Sequence, residues 1–307
     1  MSERWLEGLR RRIRLAGGHP ATAVPEASTA RGEEPRIRLA EVVEPPLRAI
    51  RCAPPTPWEA PVAFLDGVQR TAIVGYAGTE PLLAAEVAAG VRLRVDRQPR
   101  SATHLRRRLL LGRAAALARV GALPPTIEAM ALPDDGPAHP VADIDAARRA
   151  VDDVRGHLER AVAATFRTTH PDAWLLVDGS LTVSPDWARD PRMVGVVKSH
   201  TTLPFEAESL EVYLTLPIGH RSSAFRPPTR TVAPVHAFGM RLHDWTGHDL
   251  LHGLVRIECA AGPVDTAALD LLAGRLLAER APLAADPRAD RMLYGVHDVE
   301  RWLRAVR

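Results

Sequence analysis

Two short apolar runs closed by the same dipeptide organise the reading of this chain. Val62-Ala63-Phe64-Leu65 leads into Asp66-Gly67, and Trp174-Leu175-Leu176-Val177 leads into Asp178-Gly179. A short apolar run stopped by a turn dipeptide predicts a strand buried on both faces, with its last residue delivered to the end of the sheet. A third run, Met193 to Val197, ends in the same way at Lys198. Ligands of open α/β sheets bind beyond strand ends, so Asp66, Asp178 and Lys198 are the first candidates for chemistry. Strands that each finish in Asp-Gly can set two carboxylates side by side, and such a pair shares either a proton or a divalent cation.

The rest of the pattern supplies a frame around these strands. Ser2 to Leu15 carries Trp5, Leu9 and Ile13 at helical spacing among arginines and predicts a basic helix; Gly17 to Glu34 lacks periodicity and predicts a flexible linker. Arg70 to Tyr76 predicts a second strand, joined to the first by a hairpin or tight bend at Gly67-Val68-Gln69, and Val91 to Val95 a third with arginines on its open face. Strands in succession imply an antiparallel meander. His104 to Val120 has leucines and alanines at helical spacing with Arg106, Arg107 and Arg108 on a solvated face, and Pro124 and Pro125 stop it.

Asp143 to Phe166 is the strongest helix, capped by Asp143, with Ile144, Ala147, Val151, Val154, Leu158 and Ala161 as its core stripe. Glu159 lies at the flank of that stripe, from where it can lean toward the sheet. Later strands are expected at Leu210 to Leu216, Thr231 to Leu242 and Gly253 to Cys259, and helices at Ala267 to Ala281 and Asp298 to Val306. Between the first two strands, Arg221, Arg226 and Arg230 with Phe225 read as a basic loop able to grip a phosphate backbone and stack on a base. The alternation of Leu254 to Glu258 puts Arg256 and Glu258 on one face. The whole is an α/β chain with a mixed sheet flanked by helices, divided into an extension over 1–50 and one domain over 51–307.

Composition narrows the class. Apolar residues make up 46% and charged residues 25%, ordinary for a soluble globular protein. The net charge of +3 is a mild pointer to a polyanionic partner. Of 40 lysines and arginines, Lys198 is the only lysine. Where arginine has displaced every other lysine, the one left at a strand end marks a place that needs a compact point charge instead of a planar fork. Cys52 and Cys259 can form neither a disulfide framework nor a four-cysteine zinc site, so a reducing cytoplasm is expected. No apolar run is long enough to span a bilayer, and no membrane segment is expected.

Several pieces in order resemble the NurA nuclease family, in a bacterial form: Phe64-Leu65-Asp66-Gly67-Val68-Gln69-Arg70, Leu176-Val177-Asp178-Gly179-Ser180-Leu181, Val194-Gly195-Val196-Val197-Lys198-Ser199-His200, Leu254-Val255-Arg256-Ile257-Glu258, and Asp286-Pro287-Arg288 through Leu293-Tyr294 to Val299-Glu300-Arg301. The resemblance leaves the first 50 residues uncovered. It implies an RNase H-like core related to the Argonaute (PIWI) nuclease core, and divalent-metal-dependent hydrolysis at DNA ends, with Mn2+ or Mg2+ as the cofactor. It also implies a homodimer seated on a HerA-type hexameric ATPase, in DNA repair or anti-phage defence.

By that resemblance Asp66 and Asp178 match the metal-binding aspartates, Glu159 an acidic residue of the helix before the second Asp-Gly strand, and Lys198 the lysine ending the next strand. His297 is taken as the C-terminal ligand, with Asp298 and Glu300 competing for the place. Arg70, Arg226 and Arg256 are the candidate DNA contacts. Two hard cations held by carboxylates would activate water and neutralise the charge of the displaced oxygen, while Lys198 would steady the pentacovalent phosphate.

Two other readings are weighed. A phosphatase of the haloacid dehalogenase type needs an aspartate two residues before the second aspartate of Asp-x-Asp-Gly, and here those positions hold Phe64 and Leu176. A catalytically inactive DNA-binding or ATPase-adaptor subunit stays open. The sequence has no Gly-x-x-x-x-Gly-Lys-Ser/Thr loop, so ATP-driven motion must come from another chain.

Overall fold

The long strand that begins at Val62 does not stop at Asp66-Gly67. In the computed structural model, which describes residues 35–96, 98–134, 136–228, 233–283 and 289–306, it runs unbroken to Ala77. The strands are β1 (Arg36–Ile37), β2 (Glu41–Val42), β3 (Ala49–Arg51), β4 (Val62–Ala77), β5 (Glu80–Val95), β6 (Gln98–Gly112), β7 (Glu128–Ala131), β8 (Trp174–Asp178), β9 (Met193–Val197), β10 (Thr202–Leu203), β11 (His220–Ser222), β12 (Phe225–Arg226), β13 (Val235–Arg241) and β14 (Leu254–Ala260). The helices are α1 (Ala114–Val120), α2 (Pro140–Thr169), α3 (Pro185–Arg189), α4 (Ala207–Leu214), α5 (Thr266–Ala278) and α6 (Tyr294–Ala305). The fold class is mixed α/β, as expected. The chain clusters into two compact units: one joins the described residues up to Glu59 with Leu176–Tyr294, the other joins Ala60–Leu175 with the described residues from Gly295 onward. The basic helix expected over Ser2 to Leu15 and the linker after it lie outside the described residues.

In the unit built on Ala60–Leu175, β4, β5 and β6 form an antiparallel meander and β7 joins β6 in parallel. The meander was expected, but its membership differs. Gly67, Val68 and Gln69 are not a bend; they pair with Ala89, Ala88 and Val87. The segment read as a helix from His104 is β6 up to Gly112, with helix only from Ala114. Leucine and arginine suit a helix locally, yet pairing along the length of β5 decides the outcome, and Leu109 and Leu111 are buried with it. Arg106 and Arg108 bind Glu86, and Arg107 binds Glu128.

Helix α2 packs on β4, β5 and β6 through Ala147, Val151, Val154, Leu158, Val162 and Phe166. The expected stripe holds from Ala147 to Leu158; Ile144 is only half-buried, and Ala161 is exposed while Val162 turns inward. Proline at the first position and His139, whose Nδ1 accepts from Ala142 N–H, start the helix three residues earlier than expected. Asp143 is therefore not the cap. It is buried and grips Arg113 with both oxygens, at 2.9 and 3.0 Å.

In the other unit the strand order is β2, β12, β13, β14, β9, with β8 beside β9, and β11 links β13 to β3. The boundary expected at residue 50 falls inside β3, because β1, β2 and β3 pair with β10, β12 and β11. Leu210 to Leu216, read as a strand, contains the end of α4. Tyr213 is fully buried there with Phe205 and Phe225, and Leu210 and Leu214 flank it at helical spacing. Arg241 closes the segment by donating to the carbonyls of Leu214 and Leu216. The basic loop expected at 217–230 is instead, among its described residues, built into the sheet as β11 and β12. Arg221 is wholly buried between Glu44 and Asp270 and Phe225 is wholly buried in the core, so neither is available to a nucleic acid.

Candidate active site

In the unit built on Ala60–Leu175, Asp66 is an interior residue of β4 paired with Gly90, not a strand tip as expected. It is 8% exposed, and its Oδ1 accepts from Gly67 N–H at 2.7 Å. Gly67 leaves room for side chains of the helix: a Cβ there would stand 2.2 Å from Glu159 Oε1 and 2.9 Å from Arg155 Cγ. Glu159 thus leans from α2 onto the strand, as its place on the helix flank suggested. Its Oε1 accepts from Arg155 Nη1 at 2.8 Å. Arg155 Nε in turn donates to Gln69 Oε1 at 3.1 Å, and Gln69 Nε2 to Asp152 Oδ1 at 2.8 Å. One polar string therefore ties α2 to the stretch of β4 that follows Asp66.

In the unit that includes Leu176–Tyr294, Asp178 ends β8 and Lys198 follows β9. Lys198 Nζ donates to Asp178 Oδ2 at 2.8 Å. Both side chains keep partial solvent access, 18% for the lysine and 26% for the aspartate. The turn after Asp178 depends on two glycines. Gly179 has φ +141° and donates its N–H to Val196 O at 3.0 Å, while a Cβ on Gly195 would meet Gly179 O at 2.7 Å. The turn is then fastened to β14: Ser180 Oγ and Leu181 N–H both donate to Glu258 Oε2, at 2.7 and 2.9 Å. Glu258 is 1% exposed, and Arg256 meets its other oxygen at 2.9 and 3.0 Å. A cavity of about 260 Å3 opens beside this turn, lined in part by Arg38, Thr182, Thr202, Arg256 and Glu258.

The oxygen donors in both units are of the kind hard divalent cations take. No three His, Cys, Asp or Glu side chains among the described residues are grouped so as to hold a metal ion. Instead a protein cation engages two of the expected ligands, Arg155 at Glu159 and Lys198 at Asp178. An ammonium has three donors. One goes to Asp178, which leaves Lys198 able to meet a phosphate oxygen as well.

The C-terminal candidates lie on α6. Asp298 pairs with Arg92 at 2.9 Å and Glu300 with Arg304 at 2.6 Å. His297 Nδ1 is enclosed with no hydrogen-bond partner among the described residues. Of the expected DNA contacts, Arg70 is exposed on β4, Arg226 pairs with Glu41, and Arg256 serves Glu258. Arg230 lies outside the described residues.

No family model and no curated protein matches the sequence. Among solved structures, the chain is similar to the NurA nuclease from Sulfolobus solfataricus, with a TM-score of 0.50 over 81% of this chain and 80% of that one. The fold is NurA-like. Sequence identity is 9%, so the likeness carries the architecture alone. Within this NurA-like fold the expected residues form two groups, Asp66 with Glu159 in one unit and Asp178 with Lys198 in the other. Sequence reasoning missed what supports them. Gly67 was read as a turn residue when it makes room for Glu159, and Glu258 was placed on a face with Arg256 without a task. A carboxylate in a buried alternating strand was the available signal, since such a group needs partners.

Proposed function

We propose that this chain is a nuclease that hydrolyses DNA phosphodiester bonds. The observation that carries the reading is the Asp178–Lys198 pair: the only lysine of the chain stands 2.8 Å from the aspartate that ends β8, on a NurA-like fold. In the proposal Asp66, Glu159 and Asp178 supply oxygens to Mn2+ or Mg2+, with His297 as the C-terminal ligand and Lys198 facing the phosphate. Bound there, a divalent cation would lower the pKa of the attacking water and neutralise charge on the displaced oxygen. The chemistry of the donor set and the sequence resemblance support that part.

The test is cleavage of end-labelled linear duplex by wild type and Asp178→Asn, with manganese, with magnesium and with chelator. The reading requires cleavage that depends on both metal and Asp178. Undiminished product from the variant would remove Asp178 from the mechanism. The engagement of Glu159 by Arg155 and of Asp178 by Lys198 favours a second reading, an adaptor that binds DNA or an ATPase ring without cutting. DNA binding with no metal-dependent product under any of these conditions would select it.

The same proposal takes a HerA-type hexameric ATPase as partner, a homodimer as the working form and the cytoplasm as the place of action. No helix among the described residues is long and apolar enough to cross a membrane. Co-purification with a HerA-type ATPase, and mass measurement in solution, test the first two.

A further inference from the structure

The Asp178–Lys198 pair is held from a third side. The last residue pair between β9 and β14 is Val197 with Arg256, so the Lys198 carbonyl lies past that ladder. It accepts from Arg291 Nη1 at 3.1 Å. Arg291 ends a one-turn 3-10 helix, Ala289–Arg291, and its Nε stands 3.4 Å from Asp290 Oδ2. Asp290 is 5% exposed, and the same oxygen accepts from Gly253 N–H at 2.7 Å and lies 3.6 Å from His252 Nδ1. Gly253 has φ +68°, and a Cβ there would stand 2.6 Å from His243 O, so only glycine suits that turn. The glycine turn holds Asp290, Asp290 lies within ion-pair range of Arg291 without a hydrogen bond to its Nε, and Arg291 donates to the peptide that carries the lone lysine.

We propose that Arg291 is a positioning residue for Lys198. A lysine stem has four rotatable carbons, so an ammonium at a strand end finds one direction only if its main chain is immobilised. Arg291 supplies that anchor from outside the ladder, and Asp290 keeps the guanidinium from swinging to solvent. The functional consequence rests on the nuclease reading; the geometric relation does not.

Because Lys198 is the only lysine, reductive methylation of the full chain with 13C-formaldehyde places one side-chain probe on it, besides the terminal amine. Dimethyl-lysine keeps its charge and one N–H for Asp178. In the wild type its methyl resonance should be displaced from that of free dimethyl-lysine, and in Asp178→Asn it should return to the free position. Arg291→Met should move it most of the way and Asp290→Asn part of the way; Arg291→Lys, which would carry a second methylated lysine, belongs to the unlabelled cleavage assay, where it should recover most of the activity. In the cleavage assay Arg291→Met should lower kcat at least about tenfold with KM for duplex within about twofold, the mark of lost alignment.

A raised KM with unchanged kcat would make Arg291 a DNA contact and overturn the proposal. A wild-type methyl signal in Arg291→Met, with circular dichroism showing the variant folded, would overturn it as well. If the resonance moves as expected but the wild type cuts no DNA, the positioning relation stands and the nuclease reading fails.

Discussion

Gly67 and Glu159 approach so closely that one methyl group on residue 67 would stand 2.2 Å from the carboxylate oxygen. Two side chains of α2 are in the way, the flexible tip of Glu159 and, at 2.9 Å, the Cγ of the Arg155 stem, so both must shift. Gly67→Ala should therefore stay folded at a cost of about 1–2 kcal/mol, while Glu159 is pushed off β4. If Glu159 serves the reaction, Gly67→Ala and Glu159→Ala should lose cleavage to the same extent while both stay folded. Full activity in Gly67→Ala with Glu159 displaced, read from a structure of the variant, would take Glu159 out of the site.

Lys198 and Asp178 are each partly exposed, so their attraction contributes no more than about 1 kcal/mol to stability. Removing either should leave Tm almost unchanged and cost activity instead. Asp178→Asn should lower the cleavage rate at least about 100-fold, and Lys198→Met should do likewise. Lys198→Arg is the sharper experiment. Every other cation in this chain is arginine, so a site indifferent to the choice would tolerate it. A planar fork cannot occupy the place of a point charge beside Asp178 without displacing it, and a loss of about tenfold or more is expected. Steady-state rates on labelled duplex decide the matter.

What could be read in the sequence depended on how local the deciding interaction is. Helix α2 is legible because its apolar stripe repeats within its own length. The end of β8 at Asp178 is legible because a short apolar run and a turn dipeptide sit together, and Gly179 does form the turn. The same dipeptide misleads at Asp66, where Gly67 answers to Glu159, a residue 92 positions later in the numbering. β6 is invisible for the same reason: its leucines and arginines favour a helix, and only β5 makes them a strand. Arg221 looks like a surface loop residue between glycine and prolines, yet its partner Glu44 is 177 positions away. Pattern finds elements whose stabilising contacts are near in sequence, and it set Lys198 just past the end of β9 because the apolar run Met193–Val197 is itself local.

Arg221 is fully buried, donates to both oxygens of Glu44 at 2.7 and 3.0 Å, and reaches Asp270 at 2.6 Å. Glu44 also accepts from Ala224 N–H at 2.8 Å. Arg221→Met would strand a buried carboxylate, at a cost of roughly 3–5 kcal/mol. Burial alone would raise the Glu44 pKa, but the hydrogen bonds from Arg221 and Ala224 outweigh it and hold the carboxyl below its ordinary range. A depressed carboxyl pKa contributes stability at neutral pH that is lost as pH falls through the depressed value. Urea titrations should show the large loss in Arg221→Met at pH 7. The Glu44→Gln variant should lack that portion of the acid-limb slope.

His200 also costs stability as pH falls, although here the fold disfavours the charged form instead of favouring it. It follows Lys198 by two residues, its Nε2 lies 2.9 Å from Leu254 O, and its ring meets Tyr213 edge-on. Burial pushes its pKa down to about 4, with the nearby Arg291, Arg256 and Arg241 charges acting in the same direction and the bond to Leu254 opposing them. The unfolded chain binds this proton near pH 6.5 and the folded chain only near pH 4. Between those values the unfolded state holds more protons, so stability falls as pH drops from 6.5 toward 4, by up to about 3 kcal/mol. His236, His243 and His252 are lowered as well, so the total slope belongs to several residues. The difference between wild type and His200→Gln, which can still donate to Leu254 O and does not titrate, isolates the one. Urea titrations at pH 7, 6, 5 and 4 should show the two proteins diverging below about pH 6.5, the variant losing less; parallel curves would mean His200 reaches solvent in the folded chain.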